Sequence, residues 1–90
     1  MPRVQFTRHL LTHFPTLREV EVEGATVGQV VVALDRRYPG LGSYLKDDQG
    51  SLRRHVNIFV NDELIRDRTR LSDAVGPQDR LFVMQALSGG

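Results

Sequence analysis

Ninety residues suffice for one domain with a small core: a chain this size buries only about 60–65% of its unfolded surface, which leaves no room for a large enclosed active site. The absence of cysteine excludes a disulfide framework, a thiolate metal site and a cysteine nucleophile within the chain. A net charge of +1 lacks the basic excess of a general nucleic-acid binder, and no apolar run approaches the length of a membrane span, so neither nucleic acid nor membrane is an expected partner.

Arg3-Val4-Gln5-Phe6-Thr7 alternates polar and apolar, which predicts a half-buried strand with Val4 and Phe6 facing the core. The start, Met1-Pro2-Arg3, has no signal-peptide pattern, and a cytoplasmic location is expected. His9 to Pro15 reads as a loop or a short helical turn, because Pro15 stops a helix. Leu17 to Glu23 alternates again with a phase slip near Arg18-Glu19, a strand with a bulge that pairs with the first as a hairpin. Thr26-Val27-Gly28-Gln29 fits a capping box, in which the Thr hydroxyl and the Gln amide satisfy free amides at the helix start. Val27, Val30, Val31, Leu34 and Tyr38 then recur at helical spacing, with Asp35, Arg36 and Arg37 on the wet side and Pro39-Gly40 as the stop.

Leu41 to Arg53 is the least regular part. Leu41, Tyr44 and Leu45 are its expected anchors, and 46–51 reads as an exposed turn in a long, mobile connection. His55 to Val60 is the next strand, with Val56, Ile58 and Val60 on one face and His55, Asn57 and Phe59 on the other. Asn61-Asp62 suits a tight hairpin turn because both residues tolerate positive φ, and Glu63 to Arg66 is the return strand. Leu71 to Val75 reads as one helical turn, followed by a turn at Gly76-Pro77-Gln78-Asp79. Arg80 to Leu87 is apolar on both sides of its alternation, which suits a central strand.

This order predicts an α+β protein: a β-grasp (ubiquitin-like) mixed sheet of about five strands with one main helix across one face. The predicted domain spans 1–87, and Ser88-Gly89-Gly90 forms a flexible tail. Glycine has no Cβ, so such a tail can thread a narrow channel in extended form. Ordering each residue costs about 1–2 kcal/mol, so the tail is expected to stay mobile until a partner grips it. A bare Gly-Gly carboxylate can be adenylated with ATP and its acyl group passed to sulfur or an amine, although glycine pairs also end many chains without any such role.

With this tail, the chain resembles the ubiquitin-like sulfur carriers of the MoaD/ThiS family, over nearly its whole length from Val4 to Gly90. The capped helix from Thr26, the stretch Val56-Asn57-Ile58-Phe59-Val60-Asn61-Asp62-Glu63, and Asp79-Arg80-Leu81-Phe82-Val83-Met84 followed by terminal Gly89-Gly90 carry the resemblance. The second stretch looks most like the CysO-type carriers of cysteine biosynthesis. One departure is Gln85-Ala86, where family members often carry prolines. The resemblance implies a carrier with no bound cofactor, acted on rather than catalytic. Gly90, flanked by Gly89, would be adenylated by an E1-like enzyme that uses ATP, converted to a thiocarboxylate by a sulfur donor, and emptied by a downstream sulfur-accepting enzyme. Cysteine, molybdopterin, thiamine and tRNA thiolation all remain open as destinations.

Counted back from Gly90, Leu81 and Val83 point to the core and Phe82 and Met84 away from it, with Phe59 pointing the same way on the neighbouring strand. Phe59, Phe82 and Met84, with Ser88, are therefore the expected partner-binding residues. A slip of one residue would instead turn the three apolar side chains into core. His9 and His13 have a spacing that could share a metal on a helix, but no third ligand lies near in sequence, and no metal is expected. Arg66, Arg68 and Arg70 share one face of an extended segment, as solvated charge or as steering toward an acidic groove. Two other functions compete: a protein modifier joined to target lysines, and a non-covalent β-grasp adaptor. The free protein is expected to be a monomer.

Overall fold

The computed structural model of the chain describes residues 1–85. In chain order the elements are β1 (Arg3–Phe6), α1 (Arg8–His13), β2 (Val20–Glu21), α2 (Val27–Arg37), α3 (Leu41–Leu45), β3 (Val56–Val60), β4 (Glu63–Leu64) and β5 (Arg80–Gln85). The strands form one sheet in the order β2-β1-β5-β3-β4. β1 and β5 run parallel, and every other pair is antiparallel. This is the expected β-grasp, with β5 in the middle of the sheet, where its two-sided apolar pattern suits a strand flanked by neighbours.

The core lies on one side of the sheet. Val4, Val56, Ile58, Leu81 and Val83 from the strands join Val27, Val30, Val31 and Leu34 from α2 in a single buried cluster. α2 begins where its free amides find acceptors. Gln29 N–H donates to Thr26 Oγ1 at 3.2 Å, while the Gln29 side-chain oxygen accepts from Ala25 N–H at 2.7 Å, one residue before the Thr a standard capping box would use. The Asn61-Asp62 turn has φ of +49° and +73°, the left-handed pair a two-residue hairpin needs.

The stretch before Pro15, open between a loop and a short helical turn, is a six-residue helix, α1, within the connection between the paired strands β1 and β2. Four local expectations are corrected. The second strand shrinks to Val20–Glu21, because β1 offers partners only from Arg3 and Val4 and one further bond joins Val22 N–H to Pro2 C=O. The stretch after Gly40 is more regular than expected: α3 buries Leu41 and Leu45, Leu52 is buried too, and Lys46 bridges Leu52. Asp35 is not simply on the wet side, since its Oδ1 accepts from Gly40 N–H (3.2 Å) and Gly42 N–H (2.8 Å) and so holds the start of α3.

The fourth correction is at Leu71 to Val75, which is not helical. Asp67 accepts from the amides of Thr69, Arg70 and Ser72 and from the Ser72 hydroxyl, and Asp73 accepts from those of Arg66 and Asp67. These side-chain bonds outcompete a helical turn. Leu71 is left at φ +55°, and its carbonyl is free to serve α2. Among the described residues no helix is long and apolar enough to cross a membrane.

Candidate functional site

The sheet face away from α2 is built by the same alternation that buries Leu81 and Val83. Phe82 and Met84 point out between and beyond them, Phe82 exposed and Met84 half-buried. Register aligns Phe59 with Phe82, and the two rings lie 6.5 Å apart between centroids, tilted by 42°. This separation lies within the range of an interacting aromatic pair. Register also aligns Phe59 with Leu64 of β4, whose side chain is 49% exposed. Leu64, Phe59 and Phe82 therefore make one apolar row across three adjacent strands, with Met84 beside it opposite Asn57.

Sequence reasoning missed Leu64, because a two-residue strand has no period to read. The signal was nonetheless present: a two-residue turn at Asn61-Asp62 forces Val60 opposite Glu63 and Phe59 opposite Leu64. Polar groups bound the row. On the β1 side Arg3 sits between Glu19 (3.2 Å) and Glu21 (3.3 Å), and Gln5 donates to Glu19 at 2.7 Å. On the other side Asn57 is held by Arg68, whose guanidinium donates to Asn57 Oδ1 (2.9 Å) and to the carbonyls of Arg53 (2.7 Å) and Val56 (2.8 Å). Arg68 therefore leaves the solvated row expected of Arg66, Arg68 and Arg70. It pins the loop after β4 to the start of β3, whereas Arg66 and Arg70 stay exposed.

Gln85, the last described residue of β5, is held from both sides. Gln85 N–H donates to Thr7 Oγ1 at 3.2 Å, and the Tyr44 hydroxyl donates to Gln85 Oε1 at 2.8 Å. His13, on α1, and His55, just before β3, flank the Tyr44 ring, with centroids 5.1 and 6.3 Å away. His9 lies exposed on α1. Among the described residues no three His, Cys, Asp or Glu side chains converge as metal ligands. Ser88, Gly89 and Gly90, the 87/88 boundary and the expected tail mobility all lie outside the described residues.

Comparison with known proteins follows the same outline. A family model described as the ThiS family matches residues 8–90. The chain is 35% identical over 83 residues to the sulfur carrier protein CysO of Mycobacterium tuberculosis, covering 90% of this chain and 89% of that one. It is 36% identical over 72 residues to small archaeal modifier protein 1 of Haloferax volcanii, covering 79% of this chain and 78% of that one. The crystal structure of the Amycolatopsis orientalis BexX/CysO complex contains a chain that superposes with a TM-score of 0.85 at 31% identity, over 100% of both chains.

Proposed function

The chain belongs to the ThiS family, and from that membership we propose that it is a sulfur carrier whose Gly90 carboxylate is activated by an E1-like enzyme and converted to a thiocarboxylate. One observation carries this reading: the family match runs through Gly89-Gly90 and covers β3, β4 and β5, the strands that display the apolar row. A Gly90 oxygen attacks the α-phosphate of ATP and pyrophosphate leaves, giving an acyl-adenylate. A sulfur nucleophile then adds to the acyl carbon, AMP departs, and the terminus carries sulfur for a downstream acceptor.

The chain supplies no general base and no cofactor of its own; ATP belongs to the partner. Its contribution is an unhindered acyl group, delivered by a surface on which the partner can dock. Phe59, Phe82 and Met84, extended by Leu64, form that surface, and Ser88 enters the partner with the two glycines. The similarity to CysO favours cysteine biosynthesis as the destination. The similarity to a small archaeal modifier protein favours a second reading, conjugation of the same activated terminus to lysines.

Intact mass separates the possibilities. The protein is incubated with an E1-like adenylating enzyme from the same cells, ATP and sulfide. A mass increase of one oxygen-to-sulfur exchange, mapped to Gly90 and absent when Gly90 is deleted, is the expected result. Lysine-linked adducts in cell extract would support the modifier reading. An unaltered carboxylate under both conditions would leave only the non-covalent adaptor.

A further inference from the structure

Gln85 occupies a core-facing position. The alternation that buries Leu81 and Val83 puts Gln85 on the same side of β5, opposite the buried Val56. A polar amide stands there, half-buried, where an apolar side chain would continue the pattern. Its oxygen is satisfied by one group, the Tyr44 hydroxyl at 2.8 Å, across 41 residues of chain. Tyr44 is itself held from several directions: Phe14 meets its ring edge-on at 5.5 Å, and His13 and His55 approach from α1 and from the start of β3. The main chain of Gln85 is tied separately to Thr7.

Packing alone does not call for this pair. Two apolar side chains of similar shape would fill the same space at little cost in stability. What a hydrogen bond adds is direction. Five residues follow Gln85, and a chain of that length spans at most about 18 Å, so the position of Gln85 bounds the volume the Gly90 carboxylate can reach. Any freedom left at that point must be lost again when the carboxylate is brought to a reacting phosphate.

We infer that Tyr44 is a positioning residue for acyl transfer: its hydroxyl clamps Gln85 and so holds in place the anchor from which the last five residues must reach the partner's nucleotide site. This role rests on the sulfur-carrier reading. It acts on the reacting geometry and leaves the docking row of Leu64, Phe59 and Phe82 untouched, so it belongs in kcat rather than in KM.

The test is ATP–pyrophosphate exchange by an E1-like adenylating enzyme from the same cells, with the carrier as varied substrate. Tyr44→Phe and Gln85→Leu each lower kcat about fivefold, with KM for the carrier within about twofold of the parent. The double variant, which restores an apolar match, melts close to the parent yet exchanges no faster than either single variant. Gln85→Glu keeps the acceptor and retains most of the rate. In the free protein, the backbone ¹⁵N heteronuclear NOE at Gln85 falls in Tyr44→Phe. An unchanged kcat in Tyr44→Phe, a loss confined to KM, or a double variant that recovers both stability and rate would each overturn the role. Absence of exchange with the unaltered chain would defeat the carrier reading and this role with it, whereas an active unaltered chain and an equally active Tyr44→Phe would defeat the role alone.

Discussion

Asp67 gathers the amides of Thr69, Arg70 and Ser72 and the Ser72 hydroxyl around one carboxylate. Those bonds, led by the Ser72 hydroxyl and the Arg70 amide, favour the charged form and hold the carboxyl at about 2, against an ordinary 3.8. Asp79 is lowered as well, by Gly76 N–H first and then by the Asn61 side chain. The sign follows from linkage. A folded-state value below the unfolded one contributes stability that is fully present above the unfolded value and is lost as pH falls through the folded one. Melting temperature is therefore expected to drop between about pH 4 and about pH 2, as the 67–73 loop loses its acceptor. Asp67→Asn should melt lower near neutral pH and show a shallower drop across that window. A variant whose pH profile parallels the parent's would remove Asp67 as the source.

At the scale of elements, α2 is started by two separate parts of the chain. Gln29 N–H is taken by the Thr26 hydroxyl, Val27 N–H by the Asp73 carbonyl at 3.0 Å, and Gly28 N–H by the Leu71 carbonyl at 2.8 Å. Helix starts leave such amides without internal partners, and here a distant loop supplies two of the acceptors. Val75 N–H returns a bond to the Ala25 carbonyl at 2.9 Å, which fastens the loop in place. Thr26→Ala removes one acceptor and leaves the other two, so it is expected to cost about 1 kcal/mol in a urea melt. A loss several times larger would mean that the Thr26 hydroxyl also holds the 71–75 loop in place. The same segment explains why a helical turn was the wrong expectation for Leu71 to Val75: local pattern was outweighed by what the segment bonds to elsewhere.

For the molecule as a whole, β5 divides its work between two faces. Leu81 and Val83 are each 1% exposed and belong to the core, whereas Phe82 between them lies on the apolar row. Neighbouring residues should therefore fail in different assays. Leu81→Ala is expected to cost about 2–5 kcal/mol of stability through transfer and cavity terms. Phe82→Asp gives up the pairing with Phe59 and some strand propensity, so it should cost about 1–2 kcal/mol, less than Leu81→Ala, and on the proposed docking role it should weaken binding to the adenylating enzyme more than tenfold by placing a charge in the apolar row. Titration calorimetry and chemical denaturation on the same pair of variants check both halves. Equal destabilisation by the two substitutions would mean that Phe82 is structural.

Much of this architecture was legible in the residues because it rests on short-range rules. Alternation in Val56–Val60 and Arg80–Gln85 sets which side chains share a face, the Thr26 hydroxyl marks a helix start, and Asn61-Asp62 accepts the backbone of a tight turn. The outward phase of Phe59, Phe82 and Met84 follows from the first of these. Other features depend on partners distant in sequence, and no local pattern encodes them. Leu64 completes the apolar row only through strand register, Arg68 turns inward because three acceptors meet it, and Asp35 leaves the wet face because Gly40 and Gly42 come back to it. Tyr44 meets Gln85 only once α3 lies over the end of the sheet. Local chemistry decides which conformations each segment prefers; a hydrogen bond across 41 residues exists only when the rest of the chain has brought its two ends together.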